Sequence, residues 1–309
     1  MSSGTGCVGS GASVESIPVD GDKRSALLSE ASLLSAAIAL GTNPVAVKYA
    51  VGDIPPLPFV ALRFTCAGLV VLAFLLSLGS RVRLKWKHLL PMAGLGIIGV
   101  GLNNVMFTFG VELTSASNTA LIYATPPLWG MLLGLALGLE RPRLRGVLGI
   151  LLAIFGVGII VYGGLGGGGF QGDVLVAGAA LCWGSYTALS IFLLRDYSPL
   201  AVAGYTMLFA GMAVLPLASL GLIRADWGAV SAGAWAAAAY SALAVAAFAF
   251  SAWQWGISRI GANRVLVYQY LVTLTGVLSS VLLLGEGLGK EQLIGAAFIF
   301  CGVYLGRRQ

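Results

Sequence analysis

Charge is what this sequence has least of. Only 10% of its 309 residues are Asp, Glu, Lys or Arg, against 58% hydrophobic residues and a mean hydropathy of +0.92. That leaves too little polar surface to cover a soluble globule of this length, so the chain reads as an integral membrane protein. Histidine is scarcer still, with His88 alone, and it sits in the loop ahead of an apolar run. The four cysteines, Cys7, Cys66, Cys182 and Cys301, lie far apart and offer neither a disulfide framework nor metal-ligand spacing. No nucleophile with a base, no carboxylate pair and no metal cluster is apparent, so neither an enzyme nor a cofactor is expected. The predicted membrane cores hold no Asp, Glu or His, because Glu112, Glu140 and Glu286 fall near helix ends. A proton relay needs such a group, so direct coupling through a carboxylate is not expected. The net charge of +6 comes from Lys and Arg crowded into short loops, a pattern that reports membrane orientation and gives no support for nucleic-acid binding.

What the chain has in abundance is apolar runs. Measured against the roughly 20 residues that a helix needs to cross the hydrocarbon core, they fall at 28–48, 56–78, 89–111, 115–139, 144–162, 172–194, 199–222, 232–256, 262–285 and 291–306. The expected class is therefore all-α integral membrane with ten transmembrane helices. Residues 1–25, rich in Gly and Ser, read as a disordered cytosolic tail. With the N-terminus in the cytosol, the inside loops collect every Lys and Arg except Lys48, Arg63, Arg224 and Lys290. Both termini are thus expected inside.

The chain also repeats itself. The stretch from Thr114 to Arg145 has a second copy 146 positions on, so that Ala116 falls on Ala262, Gly130 on Gly276 and Glu140 on Glu286. The register continues into the next helix, with Gly149 on Gly295 and Gly156 on Gly302. Each half, 26–162 and 172–309, would hold five helices. An odd number forces the second copy to enter the membrane in the opposite sense, which makes the repeat an inverted one and points to alternating access around an interface site. The glycines of 163–171 fit a linker outside the membrane, since they follow no strand and include no Lys to cradle a phosphate.

The pattern P-x-x-x-x-R-F at Pro58–Phe64, the Pro126–Pro127 helix ending in LGLE and the stretch LGEGLGKEQLIGAAFIFCGVYLG at 284–306 resemble the EamA branch of the drug/metabolite transporter superfamily. Within it the chain is most similar to the YddG-type exporters of aromatic amino acids. The resemblance covers about 28–306 and implies ten helices, cytosolic termini, a basket of two inverted halves and a central substrate cavity. The direction of transport, export, rests on it alone. The second half departs from the first where Val272 and Thr273 replace the proline pair.

Polar groups at mid-membrane depth face a bundle interior or a wet cavity. Asn43 precedes Pro44, whose kink frees backbone carbonyls beside the amide. Of Asn103 and Asn104, helical spacing lets one face inward, and Asn103 is preferred. Tyr123 pairs in the repeat with Gln269, inside the polar run Tyr268-Gln269-Tyr270. Trp183, Tyr186 and Trp253 lie away from the predicted helix ends that an interfacial aromatic belt occupies. Each of these has a bland alternative, an interhelical hydrogen bond or plain packing. Lys48 and Arg63 are the cations that reach inward; Lys48 can snorkel, and Arg63 can pair either with backbone carbonyls or with substrate. Hinges are expected at Pro44, Pro126, Pro127 and Gly261. Amides, phenols and aromatic faces together suit a small zwitterion with a flat apolar side chain. The resulting expectation is a monomeric secondary transporter in the bacterial inner membrane that exports neutral amino acids, aromatic ones and others such as Met or Thr. Its partners would be those substrates and the lipid bilayer. Export of other metabolites or drugs is the alternative.

Overall fold

The computed structural model describes residues 20–80, 84–137, 144–164 and 169–307, and among these the chain is all helix and loop. We number its helices α1 (Asp20–Ala50), α2 (Pro56–Ser77), α3 (Trp86–Leu113), α4 (Ala116–Ala136), α5 (Leu144–Gly164), α6 (Phe170–Leu193), α7 (Pro199–Arg224), α8 (Ala232–Ile260), α9 (262–284) and α10 (Lys290–Arg307). Eight of them are long and apolar enough to span a membrane. The expected ten is not reached by that measure, because α10 has 18 residues and begins with Lys290, Glu291 and Gln292. The apolar length of α5 is shorter than the others. Helix α1 begins at Asp20, inside the stretch expected as tail. Glu140 and residues 165–168 of the expected linker lie outside the described residues.

The exterior is as apolar as the interior. Leu282 is 78% exposed and Ile223 81% exposed, which a water-soluble fold would not tolerate over so wide a surface and a bilayer favours. The protein is a multi-pass membrane protein.

Local chemistry sets the helix ends and breaks. Ser115, Ser198 and Ser231 each accept a hydrogen bond from the backbone N–H three residues on, opening α4, α7 and α8. Pro56 and Pro199 stand at the first turns of α2 and α7, where a fixed φ favours the helix and no N–H is needed. Helix α4 is broken at Tyr123–Thr125 and restarts at Pro126. Helices α3 and α8 share a subtler feature: each widens to π geometry midway, at Leu95–Leu102 and Ser241–Ala249. Between α8 and α9 the chain turns at Gly261, whose φ of +82° is a conformation that a side chain would strain.

Packing is by close backbone approach. Helix α2 lies along α7, α5 along α10, α1 along α9, and α3 along α6. In the α5–α10 pair a Cβ on Gly156 would stand 2.6 Å from the Gly295 carbonyl oxygen, and one on Gly302 would stand 2.5 Å from that of Gly149. Small residues at such crossings are what lets membrane helices associate without a hydrophobic drive. These two contacts are reciprocal in the expected register: with Gly149 set on Gly295 and Gly156 on Gly302, each contact is the other with its partners exchanged. Gly130 against Leu266 and Gly276 against Ala120 form a second such pair.

Candidate functional site

Where α1, α2, α3, α4, α6, α8 and α9 converge, a cavity of about 30 Å³ remains. That is room for a water or two, not for a metabolite, so the conformation is compact and a substrate requires the helices to part. Its polar lining comes from Asn43, Arg63, Asn103, Asn104, Tyr123 and Gln269, and its aromatic wall from Phe107, Trp183 and Phe250.

The proline pair explains the centre of this site. Pro127 has no N–H to offer the carbonyl one turn earlier, that of Tyr123. The Gln269 amide takes it instead, with Nε2 donating over 2.7 Å. The two residues related by the 146-position repeat thus touch each other. In the second half, where Thr273 stands in place of a proline, the Gln269 carbonyl is retained locally and accepts from the Thr273 hydroxyl at 3.0 Å.

Arg63 is the one charged residue of the lining, and it is buried, 3% exposed. Its Nε donates to the Ser241 carbonyl at 3.0 Å, at the point where α8 passes into its π turn. Its Nη1 donates to Asn104 Oδ1 at 3.3 Å, and the Phe64 ring lies 4.8 Å from the guanidinium carbon. The amides then form a chain. Asn104 Nδ2 donates to Asn103 Oδ1 and to the Val100 carbonyl, while Asn103 Nδ2 donates to the Tyr123 hydroxyl and the Ala179 carbonyl. Across the cavity Asn43 accepts from the Ser241 hydroxyl at 2.8 Å.

Of the residues singled out from sequence, Asn43, Asn103, Tyr123, Trp183, Gln269 and Pro44 line this cavity. Tyr186, Trp253 and Tyr268 do not. Tyr186 lies behind Trp183, its hydroxyl 3.1 Å from Thr206, and Trp253 is fully buried with its indole N–H on Thr187. These two back the Trp183 wall, with ring centroids 5.5 and 5.6 Å from it; helical spacing cannot tell a wall from its backing. Tyr268 packs, half-buried, at the start of α9. Pro126 and Pro127 open the second part of α4, Pro44 lies within α1, and Gly261 joins α8 to α9. The expectation that only one of Asn103 and Asn104 faces inward needs correction, since both line the cavity. Their side chains leave the helix roughly 100° apart, and the Asn104 amide folds back onto Val100 to reach the same space.

One carboxylate at a helix end was not singled out from the sequence. Asp173, in the first turn of α6, is fully buried. It accepts from Thr114 Oγ1 at 2.6 Å and from Asn118 Nδ2 at 3.1 Å, and Asn118 accepts in turn from Gln292 at 2.6 Å. The turn between α3 and α4 covers it. Beside it Glu286 clasps the start of α4. Its two oxygens accept from the N–H groups of Ala116 and Ser117, the Ser117 hydroxyl and Lys48 Nζ, all within 2.8–3.1 Å. Burial pushes this carboxyl up, but those donors outweigh it and hold it below the ordinary glutamate value. Lys48 donates also to the Thr114 carbonyl at 2.9 Å, so it is anchored. At the opposite end of the bundle Lys85 and Asp196 pair at 3.2 Å, and Tyr197 accepts from the Lys85 N–H. No group of three or more His, Cys, Asp or Glu side chains suited to a metal occurs among the described residues.

Known proteins share this plan. A solved crystal structure superposes on 90% of this chain and 96% of its own with a TM-score of 0.65 at 23% identity, which shows a common fold. The uncharacterized transporter YyaM of Bacillus subtilis is 28% identical over 289 residues, 88% of this chain and 90% of its own length. A Salmonella typhimurium protein named "Probable amino-acid metabolite efflux pump" is 27% identical over 278 residues, 86% of this chain and 90% of its own. The EamA-like transporter family matches residues 27–162 and, a second time, 170–307. The chain belongs to the EamA-like transporter family.

Proposed function

We propose that the protein is a secondary transporter that exports neutral amino acids across the bacterial inner membrane by alternating access, aromatic ones as in the YddG-type exporters and others such as Met or Thr. The observation that carries this reading is the cavity at the contact of Tyr123 with Gln269, lined by amides, a phenol and aromatic faces. An amino acid has a polar head for the amides and a side chain for the wall formed by Phe107, Trp183 and Phe250.

Ten spans arranged as two inverted halves fit the double family match, the shared π turns of α3 and α8 and the reciprocal glycine contacts. Helices α5 and α10 meet antiparallel, as an axis in the membrane plane requires. On this reading both termini are cytosolic and the Lys48–Glu286 clasp faces outward. The single chain supplies both sides of the site and works as a monomer. Export, and amino acids as cargo, are supported by the printed name of the Salmonella relative.

Counterflow in liposomes tests the proposal. Unlabelled Phe, Trp, Met and Thr are expected to drive uptake of a labelled amino acid. Exchange with none of them would overturn the substrate class in favour of an exporter of other metabolites or drugs.

A further inference from the structure

Two atoms of the central cavity have no hydrogen-bond partner although both are buried: Nη2 of Arg63 and Oε1 of Gln269. One is a charged donor, the other a neutral acceptor. No carboxylate among the described residues comes within 4.0 Å of Arg63. A guanidinium sealed in a membrane bundle without a counter-ion is costly, and chains keep such groups where they serve a ligand. Its remaining contacts orient it and do not neutralise it: the Ser241 carbonyl fixes Nε, Asn104 fixes Nη1, and Nη2 is left over. Gln269 is held likewise through Nε2 on the Tyr123 carbonyl, which turns its oxygen into the unfilled position. The groups come from α2 in one half and α9 in the other, and both line the one cavity.

Resting on the reading of an amino-acid carrier, we propose that Arg63 and Gln269 are the two poles of the substrate-head site: Arg63 Nη2 donates to the substrate carboxylate and Gln269 Oε1 accepts from its ammonium. The carboxylate supplies the missing counter-charge, so it is the stronger determinant. Charge-assisted donation to it is worth about ten- to a hundredfold in affinity, and the neutral acceptor contributes less. The site therefore selects free α-amino acids and rejects amines and carboxamides of the same side chain. A Lys at position 63 would keep the charge but lose the fork that reaches Ser241, Asn104 and the ligand at once.

The test uses the full chain, purified in detergent, with ligand affinity read from the shift in thermal unfolding. The probes are L-phenylalanine, L-phenylalaninamide, which keeps the ammonium, and hydrocinnamate, which keeps the carboxylate, all at a mildly acidic pH. Phenylalanine is expected to bind tightest, hydrocinnamate next, and the amide about ten- to a hundredfold weaker than phenylalanine. Arg63→Gln should bring phenylalanine and its amide to parity. Gln269→Ala should instead bring phenylalanine and hydrocinnamate to parity and keep the carboxylate preference. A purely structural Arg63 would move stability and leave these ratios alone. Should Arg63→Gln fail to fold, the wild-type series decides by itself. Amide binding as tight as phenylalanine, or binding by none of the three, overturns the proposal. Phenylalanine counterflow without discrimination against the amide would sink the head site and leave the amino-acid carrier standing. Arg63-dependent binding of hydrocinnamate without phenylalanine counterflow would do the reverse.

Discussion

Replacing Glu286 by Gln should open the end of the bundle that this side chain closes. Gln has the same shape, but it carries no charge and puts an NH2 group, which cannot accept, in place of one of the two oxygens. The two backbone N–H groups of Ala116 and Ser117 now donate to a carboxylate, over 3.0 and 2.8 Å. Hydrogen bonds to a charged group are worth about 1.5–3 kcal/mol and neutral ones about 1; one N–H keeps a neutral acceptor and the other loses its own, so the exchange loses at least about 2 kcal/mol across the pair. The Lys48 contact at 3.1 Å, with side chains 32% and 16% exposed, adds a fraction of a kcal/mol. About 2 kcal/mol multiplies the population open at this end by about thirty.

A Val272→Cys probe reads that population, because Val272 lines the cavity and is 6% exposed. With Cys7, Cys66, Cys182 and Cys301 replaced by Ser, an impermeant maleimide added from the Glu286 side should label it about thirtyfold faster in the Gln variant. Unchanged or slower labelling would refute the clasp. The sign of the pH dependence follows. The folded carboxyl is held below its ordinary value of 4.5, so the stability that it contributes is present above that value and is lost as pH falls through the lowered one. In the unsubstituted clasp, labelling normalised to that of an always-exposed reference thiol, which removes the fall in thiolate fraction with pH, should stay flat from neutral pH down to the ordinary value and rise only below it; a rise near pH 6 would assign the switch to another group.

Three further outcomes follow from particular contacts. Gly156→Leu, which drives a side chain into the Gly295 carbonyl, should lower stability by about 3 kcal/mol, whereas Gly158→Leu, with nothing within 4 Å, should be near neutral in a thermal-unfolding comparison. Pro127→Ala restores an N–H that competes with Gln269 for the Tyr123 carbonyl, so phenylalanine counterflow should fall about tenfold while the unfolding midpoint holds. Asp173→Ala strands the buried Asn118 amide and Thr114 hydroxyl and should cost about 3 kcal/mol, with Asp173→Asn less harmful; equal midpoints for both would contradict the network.

Much of the architecture was legible because a bilayer imposes length on apolar runs: most of the predicted spans coincide with helices to within a few residues. The spacing of Gly149 and Gly156 against Gly295 and Gly302 singled out α5 and α10 as a pair, and the structure places those two helices in contact. What the sequence could not show was lateral. The π turns of α3 and α8 arise in glycine- and alanine-rich stretches that carry no signature, yet they place Asn104 and the Ser241 carbonyl at the cavity. Glu286 read as a loop-end charge, and Asp173 was not singled out, because burial of a helix end depends on which neighbour covers it. Trp253 and Tyr186 have the spacing of Trp183 and stand one layer behind it. Pro127 was visible as a kink, but its consequence, a carbonyl surrendered to Gln269, needed the partner helix in place.

The account holds that substrate reaches the cavity through alternate opening of the two clasps, and a reversible lock tests it most directly. Lys48→Cys and Glu286→Cys, joined by a reducible bis-cysteine cross-linker in proteoliposomes, should stop phenylalanine counterflow, and reductant should restore it. Counterflow that continues at its full rate in the cross-linked protein would contradict the account.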